Sequence, residues 1–139
     1  MKIFIISCGK AKEKKKTMAY LLFNGGFFKK QLALVKSMGA KKDNTFILSA
    51  KYGLVKCEKI IEPYELKMGN KGCVTLEFVR NQVKEFGLEG AEIVSTAGSA
   101  YRVILKEIFD KHSFPLEGVG GMGMQIKEMK RLIGRVGKD

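Results

Sequence analysis

An α/β sandwich with a mainly parallel sheet is the fold that these 139 residues predict, and three observations point to it. Apolar runs such as Ile3-Phe4-Ile5-Ile6 are short and continuous, as in strands covered on both faces. Segments with apolar residues at helical spacing alternate with those runs along the chain. The runs end in small polar residues, Ser7-Cys8-Gly9, Ser49-Ala50-Lys51-Tyr52 and Thr96-Ala97-Gly98-Ser99, which suits the carboxyl edge of a parallel sheet, where such folds hold ligands. One three-layer domain spanning residues 1–139 accommodates the whole pattern, since no repeat or low-complexity linker divides it.

Residues 2–7 read as the first buried strand, and residues 8–16 as loop. Thr17 suits the cap of a helix over residues 18–23, which Asn24-Gly25-Gly26 breaks. A second helix follows over 27–38, with Leu32, Val35 and Met38 at helical spacing and Gly39 as its stop. Residues 45–49 form the second strand, and 59–61 a short third. After a glycine-bearing loop, 74–86 is an amphipathic helix with Leu76, Val79, Val83 and Phe86 inward. Residues 92–96 form another buried strand and 100–109 a helix with Tyr101, Ile104, Leu105 and Ile108 on one face. A last short strand is expected at 114–116, and a final helix at 125–133. The run Gly118-Val119-Gly120-Gly121-Met122-Gly123 is neither a phosphate-binding Walker loop nor, where it sits, a dinucleotide fingerprint, and reads as a turn before that helix.

Charge is concentrated at one end. Residues 1–51 carry twelve Lys or Arg against two acidic residues, and the net charge of the chain is +12. Lys10, Lys12, Lys14, Lys15 and Lys16 crowd one loop, either as a solvated run or as a contact for nucleic-acid phosphates, whose counterions ammonium groups displace. Apolar runs fall far short of the roughly 20 residues of a membrane span. With no signal peptide in view, a cytoplasmic protein without membrane association is expected. The three cysteines, Cys8, Cys57 and Cys73, are odd in number and fit no zinc spacing, so reduced thiols are expected, with no metal and no cofactor. His112, the single histidine, reads as a surface residue at a helix end.

The strand 46–48 discharges directly into Ser49-Ala50-Lys51-Tyr52-Gly53-Leu54, a tip holding a hydroxyl, an ammonium and a phenol. Soon after, Glu62-Pro63-Tyr64-Glu65 brings two carboxylates and a second phenol. Singly, Ser49 and Gly53 also suit a turn, Lys51 suits solvent and Tyr52 suits a core edge. Together they read as a site. Gly9 and Gly98 leave room there for an anion to approach backbone N–H groups.

These blocks, with Cys8-Gly9-Lys10-Ala11-Lys12 and Leu22-Phe23-Asn24-Gly25-Gly26-Phe27-Phe28, resemble a little-characterised bacterial and phage family. Its pattern is Cys-x-x-x-Lys, Leu-Tyr-x-x-x-x-Phe, Ser-Ala-Lys-Tyr-Gly-Leu and Pro-Tyr-Asp. Gly98-x-x-Tyr101 and the later Gly-Met-Gly-Met-Gln are a weaker echo. Phe23 departs from the family's tyrosine, and Glu65 from its aspartate. That family is distantly similar to the uracil-DNA-glycosylase-like superfamily, so the resemblance implies a uracil-DNA-glycosylase-like sandwich and N-glycosidic chemistry on a modified base.

Cleaving a base from its sugar requires a carboxylate, donors for the departing base and an aromatic to stack on it. Glu65 or Glu62 would be the catalytic carboxylate, and Tyr52 and Tyr64 would stack. Cys8, Gly9, Lys12, Ser49, Lys51, Gly98 and Tyr101 complete the expected substrate site, and Lys10, Lys14, Lys15 and Lys16 the nucleic-acid contact. Cys8 is also a candidate nucleophile, although no histidine base accompanies it. Two readings stay open: a hydrolase acting on a nucleoside or a base in nucleic acid, and a non-catalytic module that senses or sequesters a phosphorylated nucleotide ligand. Glu62 and Glu65 both turned to solvent would favour the second. The oligomeric state is not legible.

Overall fold

A computed structural model describes residues 1–10 and 12–136. Its elements, in chain order, begin with β1 (Lys2–Ser7), β2 (Thr17–Met18), α1 (Ala19–Leu22), α2 (Gly26–Ser37), β3 (Thr45–Ser49) and β4 (Gly53–Lys56). They continue with β5 (Ile60–Ile61), α3 (Leu76–Glu85), β6 (Glu92–Ser95), α4 (Ser99–Ile108), β7 (Lys111–Ser113) and α5 (Met122–Val136).

Strand β1 lies at the centre of a five-stranded sheet ordered β4-β3-β1-β6-β7. Its apolar run explains the position: Ile3 and Ile5 enter the core on one face, Phe4 and Ile6 the core on the other. Strands β3 and β6 flank β1 in parallel, β7 continues in parallel from β6, and only β4 is antiparallel. Val79 and Val83 of α3 and Leu105 of α4 cover the first face, while Phe28 and Val35 of α2 cover the second. The mixed α/β arrangement is compatible with a three-layer sandwich. Helix α5 packs outside α2, where Met129 meets Leu34 and Leu116. The parallel run of β1, β3 and β6 puts Ser7, Ser49 and Thr96 at one edge of the sheet, as expected. The chain crosses from one side of β1 to the other between β3 and β6, so the crevice beyond the ends of β1 and β6 is the switch point of the fold.

Several expectations need correction. Thr17 caps no helix: Thr17 and Met18 pair with Ile61 and Ile60 as a two-stranded ribbon, and the helix is reduced to α1. The expected strand over 59–61 is therefore β5 of that ribbon, outside the main sheet. The last strand is the polar 111–113, not 114–116, because an edge strand needs no apolar face and Pro115 has no N–H to donate. His112 accordingly lies on β7, exposed, its ring 5.0 Å from that of Phe114. Strand β4 was not foreseen; Gly53, at φ 71°, reverses the chain so that Leu54 and Val55 return along β3. Helix α5 starts earlier than residue 125, at Met122, so Met122 and Gly123 of the run read as a turn belong to the helix.

Candidate functional site

The switch crevice is floored by a helix side chain. Ser7, the last residue of β1, turns its peptide towards β6, but β6 has ended: Thr96 N–H reaches only Ile5 O, at 3.3 Å. Gln31 of α2, fully buried, takes the missing strand's place. Its Oε1 accepts from Ser7 N at 3.0 Å, Ser7 Oγ at 3.3 Å and Thr96 Oγ1 at 2.8 Å. Its Nε2 donates to Ser7 O at 3.0 Å. One amide thus joins the carboxyl ends of β1 and β6 without leaving a buried polar atom of its own unmatched.

Above this floor stands a chain of weak acids. Cys8 Sγ lies 3.1 Å from Tyr101 Oη, bridging the loop after β1 to helix α4. Ser49 Oγ lies 2.6 Å from Tyr64 Oη and also accepts from the N–H groups of Lys51 at 3.2 Å and Tyr52 at 3.1 Å. The serine therefore shapes the turn between β3 and β4 and presents the Tyr64 phenol. Burial raises both phenols, Tyr64 and Tyr101, well above the ordinary tyrosine range, and the neighbouring Cys8 thiol pushes both further. At neutral pH both phenols keep their protons and can donate a hydrogen bond.

Aromatic rings and ammonium groups form the outer wall. The Tyr52 and Tyr64 rings meet edge to face, 5.6 Å apart at 80°, and the Tyr52 phenol donates to Glu62 O at 3.3 Å. Lys12 Nζ sits 4.6 Å from the Tyr64 ring centre and 5.7 Å from that of Phe23, which itself packs against Tyr64. Lys51 Nζ lies 5.3 Å from the Tyr52 ring centre. Tyr52 and Tyr64 are half-buried, and Lys12 Nζ also donates to Lys10 O at 3.1 Å; cations at this range are held weakly by the rings and keep donors free for an anion.

The structure thus gathers Cys8, Lys12, Ser49, Lys51, Tyr52, Tyr64 and Tyr101 at the carboxyl ends of β1, β3 and β6. Gly9 and Gly98 lie beside them in conformations open to any residue; a Cβ on either would make only ordinary contact, 3.7 Å from Phe28 Cβ and 3.9 Å from Tyr101 Cδ2. Glu62 and Glu65 are both exposed, and no hydrogen bond or ion pair engages either carboxylate among the described residues. Lys10, Lys14, Lys15 and Lys16 are exposed, and none of them joins an ion pair among the described residues. No group of three or more His, Cys, Asp or Glu could hold a metal ion, and no helix is long and apolar enough to cross a membrane, among those same residues.

Two glutamines escaped sequence reasoning. Gln31 was detectable as a polar residue on the Phe28-Leu34-Val35 face of a helix. Gln82 of α3 does for β4 what Gln31 does for β1: its amide accepts from Leu54 N at 2.7 Å and donates to Tyr52 O at 3.0 Å and Leu54 O at 3.2 Å. A Cβ on Gly53 would stand 2.2 Å from Gln82 Oε1, so the glycine of Ser-Ala-Lys-Tyr-Gly-Leu is required by space as well as by φ.

Fold and site define an α/β protein with a thiol, phenol and lysine cluster at the switch point of a mainly parallel sheet. The chain belongs to a family of unknown function, DUF6884, whose pattern matches residues 3–131. No curated protein matches it.

Proposed function

We propose that the chain binds a nucleotide, free or within nucleic acid, at the switch crevice, and senses or sequesters it without cleaving it. The observation that carries this reading is the pairing of two aromatic rings with two ammonium groups, Tyr64 with Lys12 and Tyr52 with Lys51, at one sheet edge. The rings offer a surface for a base, and the ammonium groups a counter-charge for phosphate. Protonated Tyr64 and Tyr101, with Ser49 and Cys8, supply donors for base carbonyls or phosphate oxygens. Both nearby carboxylates are exposed and unpaired with any described side chain, which favours binding over hydrolysis.

A second reading, N-glycosidic hydrolysis on a uracil-DNA-glycosylase-like fold, is favoured by one observation: Glu65 directly follows Tyr64, whose phenol is held protonated and able to donate to a departing base. In it Glu65 or Glu62 orients water or stabilises the oxocarbenium-like state. Incubating the protein with modified and unmodified DNA and nucleosides, and measuring both retained ligand and released base by mass spectrometry, separates the two. Retention without release, weakened by Lys51→Ala, supports the binding module. Release that falls about 10²–10⁴-fold in Glu65→Gln or Glu62→Gln supports the hydrolase, and release unaffected by either substitution removes both carboxylates from it.

A further inference from the structure

Beside the switch crevice, across Tyr52, runs a groove of about 650 Å³. Leu54, Ile60, Ile61 and Phe86 give it apolar walls, and Lys16, Lys56 and Lys59 line it with ammonium groups against the single carboxylate of Glu62. Ile60 is 61% exposed there although it is a large apolar residue. Lys56 Nζ lies 5.6 Å from the Phe86 ring centre, repeating outside the crevice the lysine-on-aromatic arrangement of Lys51 on Tyr52. Lys16 follows Lys14 and Lys15, both exposed, so these lysines and the groove form one positive surface.

A groove beside an edge strand ordinarily invites a peptide to pair with the strand. Here that route is closed. Gln82 already occupies Leu54 N–H and the carbonyls of Tyr52 and Leu54, and Lys59 N–H holds the Lys56 carbonyl at 3.1 Å. What remains on offer is side-chain chemistry: flat or apolar surface at Tyr52, Phe86 and Ile60, lined by cations. That is the pattern by which proteins track single-stranded nucleic acid, bases against aromatic rings and phosphates along lysines.

We propose that the groove carries the flanking nucleotides of a single-stranded nucleic acid whose neighbouring nucleotide occupies the switch crevice, with Tyr52 at the junction. This rests on the nucleotide-binding reading above and narrows its ligand from a free nucleotide to a single strand. Lys56 and Lys59 contact phosphates; Phe86 and Ile60 receive bases without regard to sequence.

The test compares thymidine monophosphate with fluorescein-labelled oligothymidylates of two to twelve nucleotides, by competition and fluorescence anisotropy across a salt series. The protein is wild type and the double variant Lys56→Ala/Lys59→Ala, both positions being exposed. Affinity is expected to rise over the first few nucleotides. The variant should lose roughly tenfold for the oligomers and flatten log Kd against log salt by about 1.4, the release expected from two single-strand phosphate contacts. Its affinity for the monophosphate should be unchanged. Equal affinity for monophosphate and oligomers, or oligomer binding indifferent to the double substitution, overturns the groove while leaving the nucleotide reading in place. Tighter binding of a duplex of the same length overturns the single-strand assignment. Failure of wild type to bind either probe overturns both.

Discussion

Replacing Gln31 by leucine keeps most of the buried volume and removes the amide that ends the β1 ladder. Ser7 N–H and Ser7 C=O then face a hydrocarbon side chain where β6 has already stopped, and the Thr96 hydroxyl loses its acceptor. A buried polar group left without a partner costs about 1–3 kcal/mol. The two peptide groups of Ser7 cannot turn away as a hydroxyl can, so they set the loss at about 2–6 kcal/mol. Against a typical stability of about 5–15 kcal/mol this is a large fraction. At this chain length it corresponds to a fall in Tm of roughly 7–20 °C. Urea unfolding followed by circular dichroism gives the difference directly, provided the slope m is the same for both proteins. Because Ser7 precedes Cys8, loosening the strand end should also speed modification of the Cys8 thiol by a disulfide reagent. A loss below about 1 kcal/mol at unchanged m would refute the claim that Gln31 stands in for a strand.

Gly53→Ala should cost more than an ordinary surface substitution, about 1–3 kcal/mol from the left-handed backbone alone, with Gln82 displaced as well; Gly26→Ala, where a Cβ meets nothing within 4 Å, is the control for chemical denaturation. Tyr64 and Tyr101 are raised in the folded state, so their contribution is fully present below the ordinary tyrosine value of 10.0 and is lost as pH rises beyond it. Burial raises Cys57 likewise, from 9.0, so wild-type stability should decline from about pH 9 upward, and Tyr64→Phe should flatten the decline above pH 10 in pH-stepped denaturation. Replacing Lys14, Lys15 and Lys16 together by alanine should weaken oligonucleotide binding and reduce its salt slope by up to about 2, on the single-strand value of 0.7 per contact; an unchanged slope would mean that these lysines are merely solvated.

The apolar strands were legible because burial on both faces leaves a signature that polar residues cannot imitate: β1, β3 and β6 follow from Ile3-Phe4-Ile5-Ile6, Phe46-Ile47-Leu48 and Ile93-Val94. Their parallel sense and common carboxyl edge follow from the helices between them. The short pairings were not legible. Thr17-Met18 with Ile60-Ile61, and Lys111-His112-Ser113 along the sheet edge, are held by backbone groups whose partners lie far away in sequence or whose side chains carry no pattern. In the site, the motif residues Cys8, Ser49, Tyr52 and Tyr64 were visible by type, and Tyr101 as a fainter echo. Their supports were not, since a glutamine that substitutes for a strand looks like any helix glutamine until the end of the neighbouring strand is known.

The central place of β1 also governs how the protein is made. The strand leaves the ribosome before either of its parallel neighbours; at about 5–20 residues per second, some 40 residues separate it from β3 and some 90 from β6, a wait of roughly 5–20 s for the second partner. Throughout it, Ile3 to Ile6 present an apolar segment with open edges, the kind of surface that chaperones recognise and that drives aggregation when they are scarce. The Cys8–Tyr101 contact can form only after the chain has passed helix α4. Nascent chains halted ahead of that helix should therefore remain dependent on a holdase, and the cluster at the sheet edge should come into being late, in a single step with closure of the sheet.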